Sequence, residues 1–268
     1  MPEIHNLPEA DYHADPALSC SKLKPLSKSP AHFLHALEQP HTTTPAMALG
    51  SLLHSAALEG PASIARHYAV TPQVDRRTKA GKAEYAEFLE TSEGKTIVTA
   101  EQMELAEGMA AAIAENATAT KLLEQCATRE TSFFWQADDV RMKARLDACS
   151  PDGIIVDLKT IGTPIDQFQR QAYNLQYHLQ AAIYSEAYRE VRGTEPEAFV
   201  FIVVESAPPH GVACFLASAE LIGAGDTLFG ELLDTYKACT KKGEWPGYPD
   251  ELRMLDLPAW AKGGRIND

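Results

Sequence analysis

Two acidic residues and a lysine lie in a short stretch of sequence that is typical of a β-hairpin. Residues 143–147 and 154–160 both have strand character, and a Ser-Pro-Asp-Gly turn at 150–153 joins them. Because alternate side chains of a strand share a face, Asp157 and Lys159 project together, away from their apolar neighbours. Charges within an apolar strand are costly to bury unless they are paired or bind a metal. The hairpin therefore predicts a hydrolytic site built around an oxygen-preferring metal ion.

Asp147, on the first strand of the hairpin, supplies a second carboxylate close to Asp157. Two neighbouring carboxylates repel each other and raise each other's pKa, and a divalent cation relieves that repulsion. Oxygen ligands favour Mg²⁺, for which Mn²⁺ can substitute. Lys159 could neutralise developing charge or orient a metal-activated water. Asp157 and Lys159 alone could instead form an ion pair on an exposed sheet face, but the second carboxylate favours a site.

Other residues with suitable chemistry are weaker evidence when taken singly. Gly50 and His54 are four residues apart and share one face of a predicted helix. A histidine on an apolar helix is more often a core residue than a ligand. Gln180 and Tyr184 have the same spacing on a later helix. Glu130 begins a predicted strand, and we expect it to have a surface role.

Hydrophobic periodicity divides the chain into helices and strands. Predicted helices occupy residues 45–59, 83–90, 99–115, 164–192 and 219–241. Predicted strands occupy residues 130–136, 140–149, 154–160, 198–205 and 211–217. Short capped helices precede these elements near Ser19 and Ser29, and residues 71–82 are predicted to be a polar loop. The order predicts an α/β fold of the mixed α+β type, with a central mixed five-stranded sheet flanked by helices.

We expect one domain over residues 1–268. Its parts would be a mainly helical N-terminal part over 1–125 that carries His54, a catalytic sheet core over 126–245, and an irregular C-terminal tail over 246–268. The tail contains the sequence Leu-Pro-Ala-Trp at 257–260.

Composition narrows the classes of protein that remain. The 268 residues are 45% hydrophobic, enough for a real core, but no run of eighteen apolar residues predicts a membrane span. The five cysteines are dispersed without a CxxC pair, which argues against a zinc knuckle or a disulfide framework. We therefore expect a cytoplasmic protein with no membrane partner.

The net charge of -13 argues against general affinity for nucleic acid, although a local groove can still be basic. Two groups of cations are candidates for phosphate contacts, and a solvated surface is the alternative interpretation of each. The first group lies in the predicted polar loop and comprises Arg76, Arg77, Lys79 and Lys82. The second group shares a strand face with Asp147 and comprises Arg141, Lys143 and Arg145.

Taken in order, these motifs resemble the RecB-like branch of the PD-(D/E)XK nucleases. The matching set is G-x-x-x-H at 50–54, Asp147, D-x-K at 157–159 and Q-x-x-x-Y at 180–184. The chain looks most like the exonuclease domain of RecE-type exodeoxyribonuclease VIII, and the likeness extends to residues 18–21, 29–33, 75–79 and the proline- and tryptophan-containing tail. One departure is that Asp147 follows a leucine, while Pro151-Asp152 lies in the turn.

The resemblance implies a restriction-endonuclease-like core and a role for each matching residue. His54, Asp147 and Asp157 would bind Mg²⁺, with the carbonyl of Leu158 as a further oxygen. Lys159 would position and activate the attacking water. Gln180 and Tyr184 would support the site or contact the DNA backbone.

The activity that the resemblance implies is a magnesium-dependent exonuclease acting on double-stranded DNA ends. It would digest linear duplexes from 5′ to 3′ and leave 3′ single strands for an annealing protein in phage-type homologous recombination. Such enzymes form ring-shaped homo-oligomers, here expected to be a tetramer. Two alternatives stay open: an endonuclease or flap nuclease of the same fold, and a catalytically inactive DNA-binding scaffold for recombination.

Overall fold

The computed structural model describes residues 2–39 and 44–257. Within that range the C-terminal tail has no helix or strand from residue 246 onward, as the sequence predicts. The end of the tail, with Pro258 and Trp260, lies outside the described residues.

A mixed sheet of six strands forms the centre of the protein. The strands of the described chain are β1 (Glu3–Ile4), β2 (Tyr68–Val70), β3 (Thr96–Val98), β4 (Thr128–Ala137), β5 (Val140–Cys149), β6 (Ile154–Ile161), β7 (Ala198–Glu205) and β8 (Val212–Leu216). β2 and β3 form a separate parallel pair, and the others lie in the order β1-β4-β5-β6-β7-β8. Only β6 and β7 are parallel within this sheet. The predicted mixed sheet is confirmed, with two-residue β1 as an additional strand too short to show alternation.

Helices cover both faces of the sheet. They are α1 (Glu9–Ala14), α2 (Cys20–Leu23), α3 (Pro30–Glu38), α4 (Pro45–His54), α5 (Pro61–His67), α6 (Lys79–Thr91), α7 (Ala100–Glu115), α8 (Ala117–Gln125), α9 (Phe168–Asn174), α10 (Tyr177–Arg192) and α11 (Ala219–Lys242). Short 3₁₀ turns at Lys24–Ser27 and Ile165–Gln167 and a π-helical turn at Ser55–Glu59 complete the set. Within the described residues, no helix is both long and apolar enough to cross a membrane.

The single helix predicted over residues 164–192 is wrong. The chain instead forms a 3₁₀ turn and two α-helices, and the break lies between Asn174 and Tyr177. Gln176 adopts a φ of 55°, a left-handed conformation that no residue can hold inside an α-helix. The predicted loop over residues 71–82 is also too long, because α6 begins at Lys79 with the hydroxyl of Thr78 accepting from the amide of Gly81.

Each face of the sheet carries its own apolar core. Ile155 and Ile161 of β6 pack in the core formed with α10 and α11, whereas Val156 and Leu158 pack in the core formed with α7 and α8. The alternation predicted for β6 is therefore confirmed, and Asp157 projects toward α10, where it accepts a hydrogen bond from that helix.

The close contact between α10 and α11 depends on a glycine. A Cβ at Gly225 would overlap the carbonyl oxygen of His178, whereas a Cβ at Gly223 or Gly230 of the same helix would meet nothing within 4 Å. Of these three glycines, Gly225 is therefore the one that allows the two helices to approach so closely.

We expect Gly225→Ala to lower the free energy of unfolding by about 1–3 kcal/mol, because the two helices must move apart. Gly223→Ala is the matched control, and its better helix propensity should raise stability by up to ~1 kcal/mol. Urea denaturation followed by circular dichroism measures both. Equal stability of the two variants would contradict the close packing.

Candidate active site

The site lies where β5 and β6 separate. The two strands pair only at Ala148 with Val156 and at Cys149 with Ile155, next to the hairpin turn. Beyond these pairs, Asp147 and Asp157 are the next residues on their strands.

The farther half of β5 pairs with a segment from the N-terminus instead. The amide of Leu18 donates to the carbonyl of Arg141 at 3.0 Å, and the amide of Lys143 donates to the carbonyl of Leu18 at 2.7 Å. The N-terminal segment therefore occupies the edge that β6 leaves.

The carboxylate of Asp147 replaces a backbone hydrogen bond that is missing between β5 and β6. Its Oδ2 accepts the amide of Leu158 at 2.8 Å. His54, the last residue of α4, faces the same point: its Nε2 lies 3.1 Å from the carbonyl oxygen of Leu158 and 3.6 Å from Oδ2 of Asp147. A π-helical turn begins directly after His54. Such turns are frequent at functional sites.

Glu130 is part of this group, so the surface role expected for it is wrong. Its Oε1 lies 3.2 Å from Nδ1 of His54, and its side chain is only 24% exposed. The pairing of β4 with β5 aligns Arg129 with Ala148 and Thr131 with Leu146, which sets Glu130 opposite Asp147. Its φ of 45° is unusual for a residue with a side chain and is the kind of backbone strain that clusters at functional sites.

Asp157 and Lys159 form a second, adjoining pair. The carboxylate of Asp157 is 1% exposed, and its Oδ2 lies 2.5 Å from Nζ of Lys159. Its Oδ1 accepts a hydrogen bond from Nε2 of Gln180, on α10, at 2.6 Å. The two oxygens of this carboxylate thus have different partners, an ammonium at Oδ2 and an amide at Oδ1. The structure therefore brings these three residues together as their motifs suggest.

Two tyrosines of α10 interact with the pair, Tyr177 by a ring contact and Tyr184 through the electrostatic effect of the carboxylates. Nζ of Lys159 lies 5.0 Å from the ring centre of Tyr177, a cation–π distance. Burial raises the pKa of Tyr184 well above its ordinary value, and the carboxylates of Asp157 and Asp147 raise it further. Tyr184 therefore keeps its proton and lies within electrostatic range of both acids.

The buried charges strongly affect one another. Burial raises the pKa of Asp147 and of Asp157, while His54 opposes the shift at the first and Lys159 at the second. Burial lowers the pKa of His54, but Asp147 and Glu130 raise it more, to about 10. Three carboxylates thus face one imidazole and one ammonium, an arrangement that leaves an excess of negative charge.

The residues fit a divalent metal ion. One ligand atom each from His54, Glu130 and Asp147 lie within 4.8 Å of one another. Two oxygens on opposite sides of Mg²⁺ lie about 4.2 Å apart, so small side-chain movements would suffice. The carbonyl of Leu158 adjoins the group, and Oδ2 of Asp157, which is ion-paired with Lys159, is a further oxygen near it. A donor set of oxygens with one imidazole suits Mg²⁺ or Mn²⁺.

The strand cations predicted to contact phosphate are used inside the protein. Lys143 is 1% exposed, and its ammonium donates to the carbonyls of Tyr12 and Asp15. It therefore cannot reach a phosphate in this conformation, which corrects the prediction for that residue. Arg145 donates to the carbonyl of Leu7 at 2.8 Å, and Arg141 pairs with the Asp15 carboxylate at 2.8 Å. Their roles as phosphate contacts stay predictions.

The cations around the start of α6 are exposed, unlike Lys143. Arg76, Arg77, Lys79 and Lys82 are all accessible to solvent. The guanidinium of Arg76 lies 4.5 Å from the ring centre of Tyr85, which holds it against the helix. Their contact with DNA stays a prediction.

Comparison with known proteins agrees with this geometry. A family model described as a PDDEXK-like domain of unknown function (DUF3799) matches residues 19–258. No curated protein matches the sequence. Among solved structures, the chain is similar to a protein named "putative exonuclease" from Eubacterium rectale, with 12% sequence identity and a TM-score of 0.60. The match covers 98% of this chain and 100% of the other, and it shows a shared fold.

We expect Mn²⁺ or Mg²⁺ to stabilise the protein, because an ion held by the folded site alone raises the free energy of unfolding. The gain should be about 2.7 kcal/mol when the metal is at 100 times its dissociation constant. Thermal unfolding with and without metal measures it. Asp147→Asn should remove most of the shift in Tm, and Glu130→Gln should reduce it.

The matched control is Glu104→Gln, at an exposed position of α7 away from the site. It should keep the full shift. A normal shift in Asp147→Asn would mean that the metal binds elsewhere.

Proposed function

Because the chain belongs to the PDDEXK-like domain family of unknown function DUF3799, we propose that it is a metal-dependent nuclease, and more narrowly a magnesium-dependent exodeoxyribonuclease. The observation that carries the proposal is the convergence of Asp147, Asp157 and Lys159 where β5 and β6 separate. A purely structural ion pair would need neither the second carboxylate nor His54 and Glu130 beside it.

Asp147 and Asp157 would hold the metal, together with His54 and the carbonyl of Leu158. Glu130 joins them as a ligand or as the partner that orients His54, since its carboxylate lies on Nδ1 of the imidazole. The bound ion would supply a water of lowered pKa and a positive charge beside the scissile phosphate.

The chain's own groups would orient the reactants. Nζ of Lys159 can donate to the attacking water or to a phosphate oxygen while it stays beside Asp157. Gln180 fixes the rotamer of Asp157 through its 2.6 Å hydrogen bond, so it is a positioning residue. Tyr184 would stay protonated there, because burial raises the pKa of its hydroxyl.

The narrower substrate proposal rests on the resemblance of the ordered motifs. The enzyme would degrade linear double-stranded DNA from 5′ to 3′ and leave 3′ single strands for an annealing protein in recombination. A ring-shaped homo-oligomer, proposed to be a tetramer, would keep the enzyme on one product strand. An acidic exterior would repel DNA except along the route to the site.

Digestion of end-labelled DNA tests activity and direction together. We expect linear duplexes to be degraded with Mg²⁺ but not with EDTA, with the 5′ label released first, and covalently closed circles to stay intact. Cutting of closed circles would contradict the exonuclease and favour an endonuclease. Metal and DNA binding without hydrolysis would favour the inactive scaffold.

We expect Asp157→Asn and Lys159→Met each to reduce the hydrolysis rate by at least about a hundred- to a thousandfold, because each removes a charge that acts on the transition state. Asp152→Asn is the matched control, since Asp152 is an exposed residue of the hairpin turn. A similar loss of hydrolysis rate in Asp152→Asn would mean that the carboxylate of the turn, and not Asp157, is catalytic.

We expect Gln180→Leu to lower kcat about tenfold or more with little change in KM for DNA, because it frees the carboxylate of Asp157 without touching the substrate. The Mg²⁺ concentration for half-maximal rate should rise, which a merely structural role would not cause. Gln125→Leu, at an exposed position of α8, is the control. An unchanged magnesium requirement in Gln180→Leu would contradict the positioning role.

A further inference from the structure

Two segments beside the site contain no acidic residue. They are residues 16–37 and 167–185, in a chain that has 37 Asp and Glu among 268 residues. At that average frequency the 24 residues of the two segments that are not buried would carry about three acids. They carry cations instead, among them Lys24, Lys28 and Arg170. We call the joint surface of these segments the acid-free surface.

The two segments are joined at the break between α9 and α10. Nζ of Lys24 donates to the carbonyl of Leu175 at 2.7 Å, and Nε2 of Gln176 donates to the hydroxyl of Ser27 at 2.8 Å. The left-handed Gln176 therefore belongs to a turn that the first segment fixes in place.

The acid-free surface also adjoins Lys159. The ammonium groups of Lys24 and Lys159 lie 5.4 Å and 5.0 Å from the ring centre of the same tyrosine, Tyr177. Leu18, near the start of the first segment, pairs with β5 where β6 departs from it. Both segments thus converge on the carboxylate and lysine site.

The turn exposes large apolar side chains next to these cations. Tyr173 is 75% exposed and Leu175 is 45% exposed. The ring of Tyr173 is already ordered, because it stacks on the buried imidazole of His178 with 5.5 Å between centres and 17° between planes. Proteins that bind single-stranded nucleic acid typically have aromatic rings on which bases stack, next to lysine and arginine side chains that bind the phosphates.

We propose that the acid-free surface binds the single-stranded part of the substrate as it enters the site. Tyr173 stacks on an unpaired base, and the exposed Lys28 and Arg170 contact phosphates. Lys24 holds the turn and adds positive potential close to Lys159. The inference rests on the proposed nuclease function and adds a substrate class to it: a DNA end with an unpaired strand.

The charge distribution of the chain supports a nucleic acid as the occupant. With a net charge of -13, the chain as a whole repels a polyanion, so a strand is favoured to approach where acids are missing. An apolar protein partner would not need two neighbouring segments free of acids.

Binding of a labelled duplex with a single-stranded overhang, measured by fluorescence anisotropy with Ca²⁺ at several salt concentrations, tests the proposal. Tyr173→Ala should raise Kd about tenfold, and Tyr173→Phe, which keeps the ring, should bind as the wild type does. The double variant Lys28→Gln/Arg170→Gln should flatten the dependence of log K on log salt by about 0.7 per lost contact.

The control double variant is Lys121→Gln/Lys241→Gln, at exposed positions on α8 and α11, and it should leave the salt dependence unchanged. Unchanged binding in Tyr173→Ala and in Lys28→Gln/Arg170→Gln, with a wild type that digests DNA, would overturn the inference and leave the nuclease proposal standing. A wild type that neither binds nor digests DNA would overturn the nuclease proposal, and the inference with it.

Discussion

The separation of β5 from β6 is the constraint on which the site depends. Two paired strands satisfy each other's amides and carbonyls, which leaves no room for a ligand between them. Here the ladder ends after Ala148 and Val156, and the carboxylate of Asp147 accepts the amide of Leu158 in its place. That exchange satisfies a buried backbone donor, which would otherwise be costly. It also brings the carboxylate of Asp147 close to the imidazole of His54.

The group is destabilising by itself, because three carboxylates are held near only one imidazole and one ammonium. Burial raises the pKa of Asp147 and Asp157, so their ionised forms are less stable in the folded protein than in the unfolded chain. The rest of the fold must offset this loss of free energy of unfolding. The two apolar cores on either side of the sheet do so. Such an arrangement has no structural advantage over an apolar core, and on the proposed function a bound cation would offset its cost.

Local patterns predict the parts of the site that depend on strand and helix period. Alternation is enough to place Asp157 and Lys159 on one face of β6. Helical spacing is likewise enough to place Gln180 and Tyr184 on one face of a helix. Glu130 could not be found in this way, since its position depends on a left-handed φ and on the register between β4 and β5. The burial of Lys143 depends likewise on carbonyls of the N-terminal segment more than a hundred residues away.

The break before Tyr177 shows the same limit, and it has a functional consequence. Residues 164–192 have a continuous helical pattern, and what interrupts the helix is tertiary: Lys24 donates a hydrogen bond to the turn, and Gln176 of the turn donates one to Ser27. The turn brings cations to a site whose own groups carry excess negative charge. On the proposed function, a bound metal ion would lower the repulsion that a phosphate meets there. Metal and DNA would then favour each other's binding, and by linkage the coupling free energy would be the same in both directions.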